Sequence, residues 1–591
     1  MSTKYIPREW SLRAQACEDF SGLKQQTGLS DLALRVCVNR GLSDSESITR
    51  FLSPKLETLT PPSRIKDLDQ AVSRVAQARS VGEKIRVFGD YDVDGTTGAA
   101  LLSWIFREAG IQYEARQPDR FKDGYGLNVK AVEEAAQDGA RVLVTVDCGI
   151  TSFDAADRAQ ALGIDLIVID HHQLDPKKGL PPAYAVVNPQ RSDCESGLKQ
   201  LCGCGLAFYF AMGLRALGRQ EGWWTPGSEP NLKQHLDLVV MATAADMVPL
   251  TGDNHVLVRH GLEILKYSKK PGVRALMSAA GIGERDLTPG HLGFVIGPRI
   301  NASGRMQSAS LALELLTTQD SARATSLAQE LERLNAERAE LQNRIWDEVR
   351  ARIETGLKEG RYQHGIVVAD SAWHEGVVGI VASRVVDTYR RPAAVIALRE
   401  DFGKGSVRTF AGKDVLAALR ECSADLLGFG GHKHAAGFSV ALDRVDALAL
   451  AFDSAVARLS EDADARPLMI DGDCRVEELT VAALQEIEKL GPFGPGNPEP
   501  VFAIEAQVRS QKILKERHLK MGLSGSSIGE GDTQPSSTIE AIWFHGAEHE
   551  EVMQLVTREG KARWAGVPEL NRFRGRVTPT FRIRDFQQIR G

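Results

Sequence analysis

The 591-residue chain has no C-x-x-C pair among its eight cysteines, no net positive charge, and no apolar run of membrane-spanning length. Each absence excludes something. The only local cysteine cluster is Cys202-Gly203-Cys204 with Cys194, and no histidine is close to it in sequence. That argues against a zinc ribbon and for buried free thiols in a reducing compartment. A formal net charge of −6 means that any nucleic-acid surface must be local. The first ten residues lack the apolar core of a signal peptide, so a cytoplasmic protein with no membrane partner is expected. With 43% hydrophobic and 25% charged residues the composition is ordinary globular, and the length asks for about three or four domains.

What the chain does contain is a rhythm. From about residue 51 to 310, short apolar runs (85–88, 142–146, 166–169, 238–240) alternate with amphipathic stretches. This is the β-α-β-α pattern of a mainly parallel sheet, giving an α/β fold class. Residues 1–50 read as helical and peripheral. Residues 311–358 read as one long helix, with Leu327, Leu334 and Leu341 seven apart. A second α/β unit spans 359–460, with strands expected at 365–369 and 393–397. Residues 461–467 read as a linker. The rest, 468–591, has short strands and turn signals that suit a small β-barrel, with a loose Gly/Ser-rich loop at 524–537.

Acidic and imidazole groups collect where the apolar runs end. Ile85-Arg86-Val87-Phe88 leads into Asp90-Tyr91-Asp92-Val93-Asp94-Gly95. The run 142–146 ends in Asp147-Cys148-Gly149, and Leu166-Ile167-Val168-Ile169 ends in Asp170-His171-His172. Asp246 follows the run 238–240. Read on a strand, Asp92 and Asp94 share one face, because strand side chains alternate with period two. One aspartate alone is usually a cap or turn residue. Four acidic ends plus a histidine pair in one domain exceed what caps require. Crowded carboxylates repel one another unless a cation intervenes, and oxygen with imidazole suits Mn²⁺, Mg²⁺ or Zn²⁺. Two ions close together would need about this many ligands, and such sites hydrolyse phosphate esters.

Three further segments could hold phosphate. Gly297-Pro298-Arg299-Ile300-Asn301-Ala302-Ser303-Gly304-Arg305 offers two arginines and an asparagine, read as a loop punctuated by glycine. Gly428-Phe429-Gly430-Gly431-His432-Lys433-His434 permits close backbone approach to a ligand and presents His432 and His434. Lys404-Gly405-Ser406-Val407-Arg408-Thr409 reads as a strand, which ordinary outward polar groups would also explain.

Taken in order, these motifs resemble those of the DHH phosphoesterase superfamily. They are closer still to the RecJ family of bacterial single-strand-specific 5′→3′ DNA exonucleases, which the segment from Leu490 through Gly491, Pro492, Phe493, Gly494, Pro495, Gly496 and Asn497 also resembles. The resemblance runs over roughly residues 50–591. It implies a DHH domain (51–310), a linking helix (311–358), a DHH-associated domain (359–460) and an OB-like barrel (468–591). It also implies two divalent cations, Mn²⁺ or Mg²⁺, held by Asp92, Asp94, Asp147, His171 and Asp246, with Asp147 bridging. His172 would face the scissile phosphate. Phe88 stands where related pyrophosphatases have a histidine, so Asp90 could serve the first ion directly or through water. Arg120, Arg299, Asn301 and Arg305 would meet phosphates, Ser406 and Arg408 a terminal 5′-phosphate, and His432 with His434 the reacting nucleotide. The implied activity is release of 5′-mononucleotides from single-stranded DNA, in repair and recombination, by a monomer. Single-strand-binding protein and a helicase are the implied partners. A small-substrate DHH phosphodiesterase and a non-catalytic DNA-binding scaffold remain as rivals.

Residues 558–591 carry nine Lys/Arg against three Asp/Glu, interleaved with Trp564, Phe573, Phe581 and Phe586. Single strands bind OB-folds by stacking bases on aromatics in basic grooves. Alternation in Phe581-Arg582-Ile583-Arg584 would equally give core phenylalanine and solvated arginine.

Overall fold

The computed structural model describes residues 8–13, 20–120, 123–124, 126–283, 287–459, 467–525 and 537–589. Cys17, the expected linker apart from Pro467, and residues 526–536 of the expected loop lie outside the described residues. The chain forms two compact units. One comprises residues 61–246 and 261–464, the other residues 1–60, 247–260 and 465–591.

In the first unit, the expected strands at 85–88, 142–146 and 166–169 are present. They belong to β1 (Lys84–Gly89), β3 (Ala140–Val146) and β4 (Asp165–Ile169), with β2 (Tyr113–Arg116) and β5 (Ala185–Val187) beside them. All five pair in parallel in the order β2-β1-β3-β4-β5. Val87, Val144 and Ile167 are wholly buried, as expected of a parallel sheet covered on both faces. Because β2 follows β1 in the chain but lies on its far side from β3, the winding reverses between β1 and β3. In open α/β sheets that reversal leaves a crevice beyond the strand C-termini. The acidic ends of β1 and β3 both fall there.

Four local readings change. Asp92 and Asp94 are not on a strand: Asp92 caps α1 (Val93–Glu108) and Asp94 lies in its first turn. The run 238–240 is not a strand either, but part of α3 (Leu236–Ala245), which follows α2 (Gly203–Gln220). Residues 236–244 are all buried. A helix apolar on every side shows no 3.6-residue period, so its sequence cannot be told from a buried strand. Likewise the Gly297–Arg305 segment is helix α4 (Gly297–Met306), not a loop. The long helix expected at 311–358 is interrupted: Ser310–Thr317 ends before Asp320, which caps α5 (Ser321–Lys358) by accepting from the N–H groups of Ala322 and Arg323.

A second sheet in this unit has the order β9-β10-β8-β7-β6. Its strands are β6 (Ile366–Asp370), β7 (Ala393–Leu398), β8 (Phe402–Arg408), β9 (Leu426–His432) and β10 (Ala435–Ala441). Strands β6 and β7 pair in parallel and the others antiparallel. The glycine-rich segment around His432 is therefore a hairpin edge. Helix α6 (Glu375–Tyr389) packs on β7 and β8.

The second unit is the expected barrel. Its strands β11 (Phe502–Leu514), β12 (His518–Gly525), β13 (Thr538–Trp543), β14 (Lys561–Phe573) and β15 (Arg576–Gln588) run in the order β11-β12-β13-β15-β14, and β14 returns to β11 to close the ring. The N-terminal residues are helical as expected but not peripheral. Leu34, Val36 and Ile48 are wholly buried in the same apolar cluster as Phe502, Trp564 and Phe581. Strand Trp10–Leu12 also pairs with Leu468–Ile470. An apolar helix stripe in a sequence does not name what covers it, and here the cover is more than 400 residues away.

The aromatics of the last segment divide as alternation foresaw. Trp564, Phe581 and Phe586 are core, and only Phe573 is open, at 63% exposure. Much of the basic excess is paired: Lys561 with Glu505, Arg563 with Asp473, Arg572 with Glu488, Arg582 with Glu499 and Glu569, and Arg584 with Glu499. No described helix is long and apolar enough to cross a membrane.

Candidate metal centre and phosphate cavity

Backbone donors hold the two acidic groups at the start of α1 in place. Asp92 Oδ1 accepts the N–H of Gly95 at 3.1 Å. Asp94 accepts from Gly203 N at 2.5 Å and Cys204 N at 2.7 Å, the first N–H groups of α2. Such N–H groups have no partner within their own helix and carry positive partial charge, so they hold a carboxylate well. The Cys202-Gly203-Cys204 motif is thus a backbone socket rather than a thiol site, and Cys202 and Cys204 are free buried thiols. Glycine is required at 203, because a Cβ there would lie 2.7 Å from Asp147 Cβ. Asp147 itself has φ of 63°. Aspartate tolerates that left-handed conformation better than most residues, at a cost of order 1–3 kcal/mol.

Around this framework ligand atoms gather in three groups, each within 4.8 Å: Asp90, Asp92 and Asp147; Asp147, His171 and His172; Asp94, His171 and Asp246. His171 Nε2 lies 3.1 Å from Asp147, 3.7 Å from Asp94 and 3.8 Å from Asp246. All five ligands implied by the family resemblance, with Asp90 and His172, therefore occupy one place. Phe88 is buried and supplies no ligand.

Electrostatically the cluster is short of positive charge. Burial, followed by the charge of Asp92, pushes Asp90 well above the usual carboxylate range. Burial and then Asp94, Asp92 and Asp90 do the same to Asp147. Asp94 is raised by burial, although His171 and its two backbone donors pull the other way. Burial, then Asp94 and Asp92, lifts Asp246 to about 8. Buried Asp90 Oδ1 has no hydrogen-bond partner among the described residues. Oxygen and imidazole donors, crowded, buried and repelling one another, fit hard or borderline divalent cations.

Asp170 is the exception, and sequence reasoning assigned it no role. It accepts from Ile150 N (3.0 Å), His172 N (3.1 Å) and His172 Nδ1 (2.8 Å). Burial would raise its carboxyl, but these bonds and the His172 charge hold it below the usual range. Burial likewise disfavours the His172 imidazolium, yet Asp170, then Asp246 and Asp94, lift it to about 9. His171, without such a carboxylate bond, is lowered by burial. Burial thus favours the neutral form of His171, which suits a metal, and Asp170 favours the charged form of His172, which suits an anion. A carboxylate directly before a histidine pair is the sequence signal for this arrangement.

A cavity of about 470 Å³ adjoins the centre, lined by Tyr91, Arg120, Arg305, Lys404, Ser406 and Arg408 among others. Arg120 lies over the Tyr91 ring at 5.1 Å, and Tyr91 is the residue between Asp90 and Asp92. Arg408 donates to Ser406 Oγ at 2.7 Å, and Arg305 donates to the Gly376 carbonyl at 3.1 Å. Burial, and after it the charges of Arg120, Arg338 and Arg408, lowers Arg305 to about 10. Arg408 is lowered by burial and by Arg120. Cations that destabilise one another in a half-closed space suit an anion. Lys404 and Tyr91 are members that sequence reasoning left unassigned.

The remaining candidates divide. His432 pairs across the sheet with Ala435, and Ala435 with Arg408, so His432 lies in the cross-strand row of Arg408. His434 is exposed at the hairpin tip, 5.9 Å from the His432 ring. Asn301 is half-buried on α4. Arg299 is not directed to the cavity: its guanidinium pairs with Glu332 at 2.5 Å and donates to the Val295 carbonyl.

Comparison with known proteins agrees with this geometry. Residues 84–243 match the DHH family N-terminal domain, 363–458 the DHHA1 domain and 470–585 the RecJ OB domain. The single-stranded-DNA-specific exonuclease RecJ of Bacillus subtilis is 32% identical over 579 residues, covering 98% of this chain and 70% of the relative. That of Dickeya dadantii is 37% identical over 507 residues, covering 83% and 86%. The crystal structure of RecJ in complex with Mn²⁺ from Thermus thermophilus superposes with a TM-score of 0.79 at 28% identity, over 99% of this chain and 80% of that one. Three domains in the same order, a shared fold over nearly the whole length and a third of the residues in common leave one conclusion: the chain belongs to the RecJ family.

Proposed function

We propose that the protein is a divalent-metal-dependent exonuclease that degrades single-stranded DNA from its 5′ end to 5′-mononucleotides. The observation that carries this is the adjacency of the acid–imidazole centre to the Arg120–Arg305–Ser406–Arg408 cavity, with Tyr91 joining them. Asp90, Asp92, Asp94, Asp147, His171 and Asp246 would hold two cations, Mn²⁺ or Mg²⁺. Bound there, the ions supply Lewis acidity to the attacking water and the leaving oxygen.

The chain's own side chains account for the rest. Ser406 and Arg408 would take the terminal 5′-phosphate, the guanidinium through a forked contact. Arg120 and Arg305, which line the same cavity, would bind phosphate oxygens beside it. His172, kept charged by Asp170, would donate from Nε2 to a nonbridging oxygen of the phosphate being cut, where negative charge grows in the transition state. His432 would meet the terminal nucleotide. Nothing in this arrangement reads base identity, because phosphate contacts carry no sequence information. A cavity that holds one 5′ end would favour a single strand over a duplex. The setting would be cytoplasmic DNA repair and recombination, with the protein a monomer. Single-strand-binding protein and a helicase would be its partners.

The test is hydrolysis, with Mn²⁺ or Mg²⁺, of 5′-phosphorylated single strands, duplexes and dinucleotides labelled at either end. Mononucleotides released first from the 5′ end of single strands are expected. Release from the 3′ end, or cleavage of dinucleotides alone, would overturn the reading.

A further inference from the structure

Helix α4 is the last part of a longer rod. Pro289–His291, Leu292–Ile296 and α4 follow without a break, and Leu292–Ile296 is wound as a π-helix. π-Turns are rare and recur at functional sites, where the wider turn re-aims a side chain. Phe294, at the middle of this one, is 75% exposed, the most exposed phenylalanine among the described residues. A single exposed aromatic is ordinary on a protein surface. What sets Phe294 apart is the rod on which it stands.

Phe294, Pro298, Asn301 and Arg305 are spaced four, three and four residues apart, share one face, and are each at least partly open to solvent. Arg305, at one end of this face, lines the phosphate cavity. The rod's small residues hold it against the metal centre along its length. A Cβ on Gly304 would lie 3.3 Å from the Tyr91 carbonyl; on Gly297, 3.7 Å from Val93 and 3.5 Å from Ala245; on Gly293, 3.2 Å from the Ala244 carbonyl. Tyr91 and Val93 belong to the turn that carries Asp90, Asp92 and Asp94, and Ala244 and Ala245 directly precede Asp246. The rod thus leads from the phosphate cavity, along the acidic centre, to Phe294. At ~1.5 Å per residue, Phe294 and Arg305 are roughly 16 Å apart, several times the spacing of one phosphate contact.

We propose that Phe294 is a stacking platform for a base of the bound strand, on the 3′ side of the phosphate that is cut. The inference rests on the proposed single-strand exonuclease reading. With its 5′-phosphate on Ser406 and Arg408 and Arg305 beside them, the strand passes the metal centre and arrives at an open aromatic ring. Every base has a π-face, so stacking there grips the strand without selecting sequence. It also favours unpaired bases, since a paired base is already stacked between its neighbours.

The experiment measures KM and kcat, with Mn²⁺, for 5′-phosphorylated oligonucleotides carrying one abasic nucleotide at each position in turn. Phe294→Ala is expected to raise KM for the intact strand by about tenfold with little change in kcat, and Phe294→Trp to restore it. At one position near the 5′ end, an abasic nucleotide should cost the wild type that same factor and cost Phe294→Ala nothing further, the non-additivity that marks a direct contact. Wild-type KM in Phe294→Ala overturns the proposal, and so does an abasic penalty that is the same in both proteins at every position. A wild type that does not cut single strands at all overturns instead the exonuclease reading on which the proposal stands. The ring is exposed, so its removal should leave thermal unfolding unchanged.

Discussion

The backbone N–H of Gly203 lies 2.5 Å from Asp94 Oδ2, and the same glycine's α-carbon faces Asp147, so close that a Cβ would fall 2.7 Å from that residue's own Cβ. One residue at the start of α2 therefore sets two of the implied metal ligands at once. Gly203→Ala should displace Asp147 and cost about 1–3 kcal/mol of stability, as overpacking does. Metal-dependent turnover should be lost. Gly205→Ala, whose Cβ would meet Leu201 and Cys202 no closer than 3.5 Å, is the control and should be tolerated. Thermal unfolding and single-strand hydrolysis of the two variants check this. Equal behaviour would mean that the socket is not tight.

Asp147→Asn should separate function from stability. Asparagine keeps the shape and accepts the left-handed backbone, and it sits neutral among repelling carboxylates without the proton that burial forces on Asp147. The metal-free variant is expected to melt above the metal-free wild type. Its turnover should fall by at least roughly a hundredfold, since even residues that only support ligands cost ten- to a hundredfold. Binding of single-stranded DNA should be largely kept. Calorimetry in chelator together with hydrolysis assays reads both effects.

The pH dependence follows from Asp246, raised to about 8 by burial and by Asp94 and Asp92. Between the ordinary carboxylate value of 3.8 and that value, the folded chain holds a proton that the unfolded chain has released. Raising the pH through this window therefore removes stability from the metal-free protein. A cation bound in place of the proton restores it. The gain in Tm on adding Mn²⁺ should grow as pH rises from about 5 to about 8, and metal titration should release protons. A gain independent of pH would rule out proton–metal exchange at this centre.

Ser406 and Arg408 predict a substrate preference. Arg408→Ala should slow hydrolysis of 5′-phosphorylated strands by roughly ten- to a hundredfold, the range of a charge-assisted hydrogen bond. Strands with a 5′-hydroxyl should be affected far less. Parallel assays on the two substrates decide it, since an equal loss on both would place the terminal phosphate elsewhere.

Truncation should act differently from what the order of motifs suggests. Every implied ligand precedes residue 250, so a chain ending near residue 466 would seem sufficient for chemistry. Yet Leu34, Val36 and Ile48 are buried against the barrel's own core residues. Removing the barrel alone exposes them, and such a chain is expected to aggregate or to be degraded from its N-terminus. Limited proteolysis followed by mass spectrometry would reveal early loss of the first 60 residues; a stable, monomeric product would contradict it.

Much of this was already in the sequence. Short apolar runs ending in aspartate marked β1, β3 and β4, because strands buried on both faces must be apolar and the chain must turn polar where they end. The motif order marked the family and the implied ligand set. Charge pairing and burial were not legible. Nothing local distinguishes Arg299, bound to Glu332, from Arg305, which lines the cavity. Nor could the fully apolar stretch of α3 be told from a strand, or the Cys202-Gly203-Cys204 motif be seen as a socket for Asp94. Local sequence specifies which groups are available and how each short segment twists. Which groups meet depends on contacts between residues hundreds apart, and those exist only once the chain has packed.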